Sequence, residues 1–366
     1  MLTVNRDQAI TKLNRLIEDG RQNAGQVIEH VMNHQPQDFI VKANALQFTG
    51  NSGLKVALNN AEFGVHRFAL GQIAENANLP VKFLDSLTAS DWGRALVAHN
   101  FNEIFKHRSG KRHLVRTVNG GEVRGFLSDS YRRLDSRPLV EAFVSGVQKL
   151  GALPYKGDVM DTKINIAAIV PEVYEVAGEV LAFVISFENS DFGNGAVSLR
   201  VGLVRIWCDN LHIFEESLRQ IHLGKRLADD IVYSRQTYEL DTKTTVSALN
   251  DMIAAQINRE GIQKRMELVT AASQKAVDPA QAQKMLKEML GTAKAQEVID
   301  AYKSADIEML PAGNDVWRLS NAISWVAGKE TDGEKRLDLM KLAGKVLLPG
   351  KREIPFVAAE VVQEAA

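Results

Sequence analysis

Residues 114–127, LVRTVNGGEVRGFL, are the stretch that decides the fold. Leu114 to Val118 and Val123 to Leu127 are β-rich runs, and Asn119-Gly120-Gly121 between them are residue types that accept the positive φ of a hairpin turn. A β-hairpin is expected here, with two registers open. If Asn119-Gly120 turn, Arg116 lies across from Val123; if Gly120-Gly121 turn, Val118 pairs with Val123 and Leu114 with Leu127. The second buries better, but a one-residue slip is all that separates them and the sequence does not choose. Side chains alternate along a strand, so Arg112, Leu114, Arg116 and Val118 share one face while Lys111, His113, Val115 and Thr117 share the other. Cations therefore occur on both faces.

The hairpin sits in the most basic part of the chain. From Lys106 to Arg137 there are nine basic residues (Lys106, Arg108, Lys111, Arg112, Arg116, Arg124, Arg132, Arg133 and Arg137) against Glu122, Asp129 and Asp135, a local excess of +6 in a chain whose net charge is −1. With so small a net charge, attraction to a polyanion has to come from such a local patch. Just past the hairpin, Tyr131-Arg132-Arg133 sets an aromatic beside two guanidinium groups, a combination that stacks a base and neutralises phosphates on a single strand. Arg200, Arg205, Arg219, Lys225 and Arg226 extend the patch if the sheet brings them near.

Outward from the hairpin, Pro138 to Leu150 reads as a helix, and Ile164 to Val170, Val180 to Phe187 and Val197 to Cys208 read as strands. Short connections between the last two favour antiparallel pairing. Towards the N-terminus, residues 5–33 carry apolar side chains at helical spacing interrupted at Gly20 and Gly25, which predicts two helices; Phe39 to Val41 and Leu54 to Leu58 predict short strands. Leu79-Pro80 divides Phe68 to Leu87 into helix, break, helix, because proline is excluded from a helix interior. Two packed helices are the commoner meaning of that pattern, whose packing geometry a DNA-reading helix-turn-helix shares. Beyond Ala228, helices are expected over Ser247 to Leu268, Pro279 to Met289, Ala293 to Tyr302, Val316 to Val326 and Lys335 to Leu347. The expectation is an α+β protein: a central antiparallel sheet with a basic β-hairpin, flanking helices and a helical C-terminal third. Its divisions are N-terminal helices and short strands over 1–60, a sheet-bearing core over 61–228, a helical region over 229–350 and a flexible tail over 351–366.

At 366 residues and 45% hydrophobic the chain fills a sizeable core. Its one cysteine, Cys208, excludes an intrachain disulfide and any Cys₄ or Cys₂His₂ zinc site, and points to a reducing compartment. No signal-peptide pattern opens the sequence and no apolar run suits a membrane span, so a cytoplasmic location is expected.

No catalytic motif is complete. His30 and His34 share a helical face at i, i+4 without a third ligand or the HExxH pattern. Gly193-Asn194-Gly195 lacks the third glycine of a dinucleotide loop, and Gly224-Lys225 is followed by Arg226 where a P-loop needs Ser or Thr. Cys208 ends an apolar strand as a small hydrophobe, and the pairs Asp229-Asp230 and Glu215-Glu216 have no fixed geometry. No cofactor and no enzyme activity are expected.

Two blocks resemble a known family. Val115-Arg116-Thr117-Val118, then Val123-Arg124-Gly125-Phe126-Leu127-Ser128-Asp129-Ser130-Tyr131-Arg132-Arg133-Leu134-Asp135, resemble the phage- and plasmid-borne family called domain of unknown function 932. Asn189-Ser190-Asp191-Phe192-Gly193-Asn194-Gly195 with Val204-Arg205-Ile206-Trp207-Cys208-Asp209-Asn210 resemble its glycine turn and its Arg, Cys and Asn signature; weaker blocks are Phe68 to Leu87 and Trp317 to Val326. Leu211 stands where the family commonly has Gly. The resemblance implies a mobile-element protein in a bacterial cytoplasm. By analogy with the annealing and recombination proteins such elements carry, it suggests ATP-independent binding of single-stranded DNA by a homo-oligomer. Arg108, Lys111, Arg112, Arg116, Arg124, Arg132 and Arg133 are then expected on phosphates and Tyr131 on a base. The rival readings are a protein-binding inhibitor or accessory factor and a metal-dependent nuclease.

Overall fold

Ala9, Leu13, Ile17, Ala24, Val27 and Val31 lie on one buried stripe that passes through Gly20 and continues past the exposed Gly25, and residues 6–33 form a single helix, α1 (Arg6–Asn33). The two helices expected here are one because Gly20 is a contact point: a Cβ there would lie 1.7 Å from the Tyr155 carbonyl oxygen. The computed structural model describes residues 6–119, 121–207, 211–220, 233–307 and 310–348.

Strands β1 (Pro36–Lys42), β2 (Gln47–Thr49), β3 (Lys55–Leu58) and β4 (Ala61–Val65) follow, then helices α2 (Arg67–Ala77), α3 (Val81–Thr88) and α4 (Asp91–Lys106), then the hairpin strands β5 (Arg112–Val118) and β6 (Glu122–Ser128). The break at Leu79-Pro80 forms as expected, with Asn78 left-handed at φ 58° after α2 and Pro80 capping α3. These strands build one sheet in the order β1-β5-β6-β4-β3-β2, antiparallel except where β4 runs parallel to β6.

After α5 (Ser136–Lys149) come β7 (Leu153–Val159), β8 (Ile164–Ile169), β9 (Tyr174–Val176), β10 (Glu179–Asn189), β11 (Val197–Arg205) and β12 (Leu211–Gln220). They form a second, antiparallel sheet in the order β12-β11-β10-β8-β7, with β9 on β10. β8 is buried at every position, which explains an apolar run interrupted only by Asn165. The C-terminal part is helical: α6 (Arg235–Gln256), α7 (Arg259–Ser273), α8 (Pro279–Leu290), α9 (Thr292–Lys303), α10 (Val316–Gly328) and α11 (Gly333–Lys345). The helix expected over Ser247 to Leu268 is divided at Asn258, whose side chain accepts from the Gly261 N–H at 2.8 Å as an N-cap.

The α+β class is as expected, with the strands shared between two sheets. Each sheet has its own core. One joins Ala43 to Phe126, packing α2 and α4 on the first sheet; the other joins α1, α5, the second sheet and the C-terminal helices. By core, α1 belongs with the second sheet and β1 to β4 with the first, so the chain leaves one core and returns to it. Sequence contiguity misleads here because burial unites segments far apart in the chain. The expected tail over 351–366 lies outside the described residues. Among the described residues no helix is long and apolar enough to cross a membrane.

Candidate anion-binding site

Neither two-residue turn forms in the hairpin. Val118 pairs with Glu122, leaving three residues between the strands, and a bulge at Arg124 then sets Arg116 against Gly125 and Leu114 against Leu127. Gly125 leaves room for the Arg116 side chain, since a Cβ there would lie 3.4 Å from that of Arg116.

Arg116 is 1% exposed, and its guanidinium reaches in three directions. It donates from Nε to Asp38 Oδ1 at 2.8 Å, from Nη2 to Asp135 Oδ1 at 2.6 Å and from Nη1 to the Asp191 carbonyl at 2.7 Å. Burial opposes the guanidinium charge, yet Asp135, Asp38 and Asp191 together hold its pKa above the ordinary value. Asp191 in turn accepts from the Ser136 N–H at 2.7 Å and the Ser136 hydroxyl at 2.8 Å, while Asn189 donates to the Leu134 carbonyl at 2.9 Å. Gln72 of α2 bridges the seam, accepting from the Phe126 N–H at 2.7 Å and donating to the Phe192 carbonyl at 2.8 Å. The glycine turn and the hairpin therefore meet in one buried polar seam between the cores.

This geometry redistributes the expected phosphate contacts. Arg116 is structural, because no phosphate reaches a side chain enclosed by two carboxylates and a carbonyl. Tyr131 is 6% exposed, with its hydroxyl donating to the Ser190 carbonyl at 3.4 Å, so its ring has no free face for a base. Arg132 forms a two-pronged pair with Asp241 of α6 at 2.5 Å on each branch. Arg133 pairs with Asp38 at 3.1 Å and lies over the Tyr238 ring at 4.4 Å. Arg124 bonds Glu122 at 3.1 Å and the Asp161 carbonyl at 2.9 Å, and Arg108 bonds the Asn76 carbonyl. Arg200 and Arg205 pair with Glu188 and Glu179, each at 2.6 Å. The side chains of Arg219, Lys225 and Arg226, like Cys208, Asp229, Asp230, Glu215 and Glu216, lie outside the described residues.

What remains for an anion lies at the open end of the hairpin. There Lys111, Arg112 and His113 face Ser128, Asp129 and Ser130, with Asn76 and Gly110 completing a cavity of about 210 Å³. The register explains it, since His113 pairs with Ser128. Arg112 Nε bonds Asp129 at 3.3 Å, but its Nη2 is buried without a partner. His113 is 3% exposed and its ring packs on Phe126 and Phe105, centroids 4.5 and 5.6 Å away, on the sheet face opposite Arg112, with a hydrogen bond to the Leu127 main chain. Burial, reinforced by the Lys111 charge, drives its pKa down to about 4, so it is neutral near pH 7. Ser128 and Ser130 hydroxyls lie 3.0 Å apart, and Lys111 is exposed with no ion-pair partner among the described residues. A buried guanidinium nitrogen without a partner is a candidate for a bond to a ligand or an ordered water. His113, Ser128, Ser130 and Asn76 do not stand out in the sequence; the Leu114–Leu127 register is the signal that places Ser128 beside His113.

Two larger clefts flank the β7–β8 turn, one of about 1270 Å³ between α2 and the start of α11, the other of about 640 Å³ holding His30, His34 and Arg124. Several of their charges pair with one another. Asp158 pairs with Arg336, and Glu334 pairs with Lys163 at 3.6 Å. His66 Nδ1 accepts from the Phe68 N–H at 3.2 Å, so its Nε2 carries the proton and donates to Asp161 at 3.1 Å, leaving no free base. The His30 and His34 rings stack at 4.2 Å, and among the described residues no group of three His, Cys, Asp or Glu side chains is placed to hold a metal. No protein-family model, curated protein or solved structure matches the chain.

Proposed function

We propose that this protein binds single-stranded nucleic acid through its phosphates, without ATP and as a homo-oligomer, with Lys111 and Arg112 as the contacting cations of the hairpin. The observation that carries the reading is the small cavity at the open end of β5 and β6, where Arg112, with one guanidinium nitrogen unpartnered, sits beside an exposed Lys111 and the Ser128 and Ser130 hydroxyls. The mechanism needs no covalent step: a strand is held through phosphate and its bases are left free to pair. The family resemblance of the hairpin adds a phage or plasmid setting in a bacterial cytoplasm to the proposal. Fluorescence anisotropy of labelled single-stranded DNA, duplex DNA and RNA at low and moderate salt tests it. Binding that prefers single strands, falls as salt rises and weakens in Lys111→Ala supports it, because each neutralised phosphate releases counterions. Absence of binding at both salts removes it.

A second reading, an accessory protein that binds another protein, is favoured by Trp92 and Leu96, 68% and 40% exposed one turn apart on α4. It predicts a co-purifying protein partner lost in Trp92→Ala and no affinity for nucleic acid at moderate salt.

A further inference from the structure

We infer that the cavity at the open end of the hairpin takes a terminal phosphate monoester of a strand and not an internal phosphodiester. The inference rests on the proposed binding of nucleic acid and names the chemical group that enters the site.

Size is the first argument. A cavity of about 210 Å³ accommodates a phosphate group, whereas an internal phosphodiester brings a nucleoside on each side. Depth is the second: the Arg112 side chain in the lining is only 21% exposed, so a ligand has to reach in to meet it. A monoester offers three unsubstituted oxygens to such a recess, and a diester only two. Charge is the third. Lys111 and Arg112 against Asp129, with His113 neutral, leave the lining at +1, and Asp129 is already engaged by Arg112 at 3.3 Å. A monoester carries about −1.5 to −2 near neutral pH and is the stronger match for charge-assisted donors. The Ser128 and Ser130 hydroxyls, 3.0 Å from one another, rotate to donate to the same group.

The experiment compares one oligonucleotide sequence with hydroxyl ends, with a 5′-phosphate and with a 3′-phosphate, in anisotropy titrations against the full chain. Inorganic phosphate and a phosphoserine peptide are added in parallel thermal-shift measurements. One phosphorylated strand is expected to bind about tenfold tighter than the hydroxyl-ended strand, an advantage abolished in Lys111→Ala/Ser130→Ala and reduced in Ser130→Ala alone. Unchanged circular dichroism shows that the variants fold, and Ser130→Ala serves if the double variant does not. Equal binding of all three strands overturns the inference while leaving nucleic-acid binding intact. Stabilisation by phosphate or phosphopeptide with no strand bound overturns it in favour of a phosphoprotein ligand. No response to any probe overturns both readings.

Discussion

Arg116 and Asp191 join the two cores: the guanidinium of the hairpin strand donates to the main-chain carbonyl of the glycine turn at 2.7 Å. Because Arg116 also binds Asp38 and Asp135, removing it takes a partner from the Asp135 carboxylate and the Asp191 carbonyl and leaves Asp38 to Arg133 alone. Arg116→Met is expected to destabilise the fold by about 3–5 kcal/mol, the cost of breaking a buried pair from one side. Arg116→Lys recovers only part of this, since an ammonium does not reproduce the planar fork. The midpoint of urea unfolding for both variants measures it, and equal midpoints for wild type and Arg116→Met would refute the role.

Asp191 makes stability depend on pH. Burial, then the Asp135 charge, pushes its carboxyl up to about 6 against an ordinary 3.8. Between these values the folded chain holds a proton that the unfolded chain has released, so this group's contribution falls as pH rises from about 4 to about 6. Asp191→Asn keeps an acceptor for Ser136 and removes the charge. Its unfolding free energy, followed from pH 4 to 7, is expected to lose that decline.

His113 and His212 act in the opposite sense. Burial lowers His113 to about 4 and His212 to about 3, from 6.5. Below pH 6.5 the unfolded chain takes up protons that the folded chain refuses, so their stabilisation is complete above 6.5 and is lost progressively as pH falls towards the folded values. His113→Phe preserves an aromatic ring against Phe126 and is expected to flatten part of this acid loss in melting temperatures recorded from pH 7 to 4.

The glycines of α1 separate packing from propensity. A methyl group added at Gly25 meets nothing within 4 Å, so Gly25→Ala is expected to stabilise by about 0.5–1 kcal/mol through helix propensity. Gly20→Ala meets the Tyr155 carbonyl and is expected to destabilise by about 1–3 kcal/mol, as overpacking does. Thermal unfolding of the two variants should move in opposite directions.

Arg132 and Arg133 anchor α6 to the end of the hairpin through Asp241, Thr245 and the Tyr238 ring. Replacing both with Ala is expected to lower stability by about 2–4 kcal/mol, with Asp241 left facing no cation. The salt dependence of nucleic-acid binding should stay as in wild type for the folded fraction, and a shallower slope would restore these residues to the interface.

The elements themselves are legible in the sequence because their causes are local. Asn119 with its flanking β-rich runs announces the hairpin, Pro80 the break between α2 and α3, and the Val- and Ile-rich runs of β8, β10 and β11 the buried sheet. Sequence and structure part where a distant group decides the outcome. Gly20 looks like an interruption until the Tyr155 carbonyl explains it, and Ser247 to Leu268 looks continuous because Asn258 caps only once the chain has turned. For the site the contrast is sharper. The sequence determined that Lys106 to Arg137 holds an excess of basic residues, which is a property of composition. Only the tertiary structure decided which of those charges remain available, because Asp38, Asp241 and the Asp191 carbonyl come from segments far along the chain, and Coulomb energy depends on distance in space.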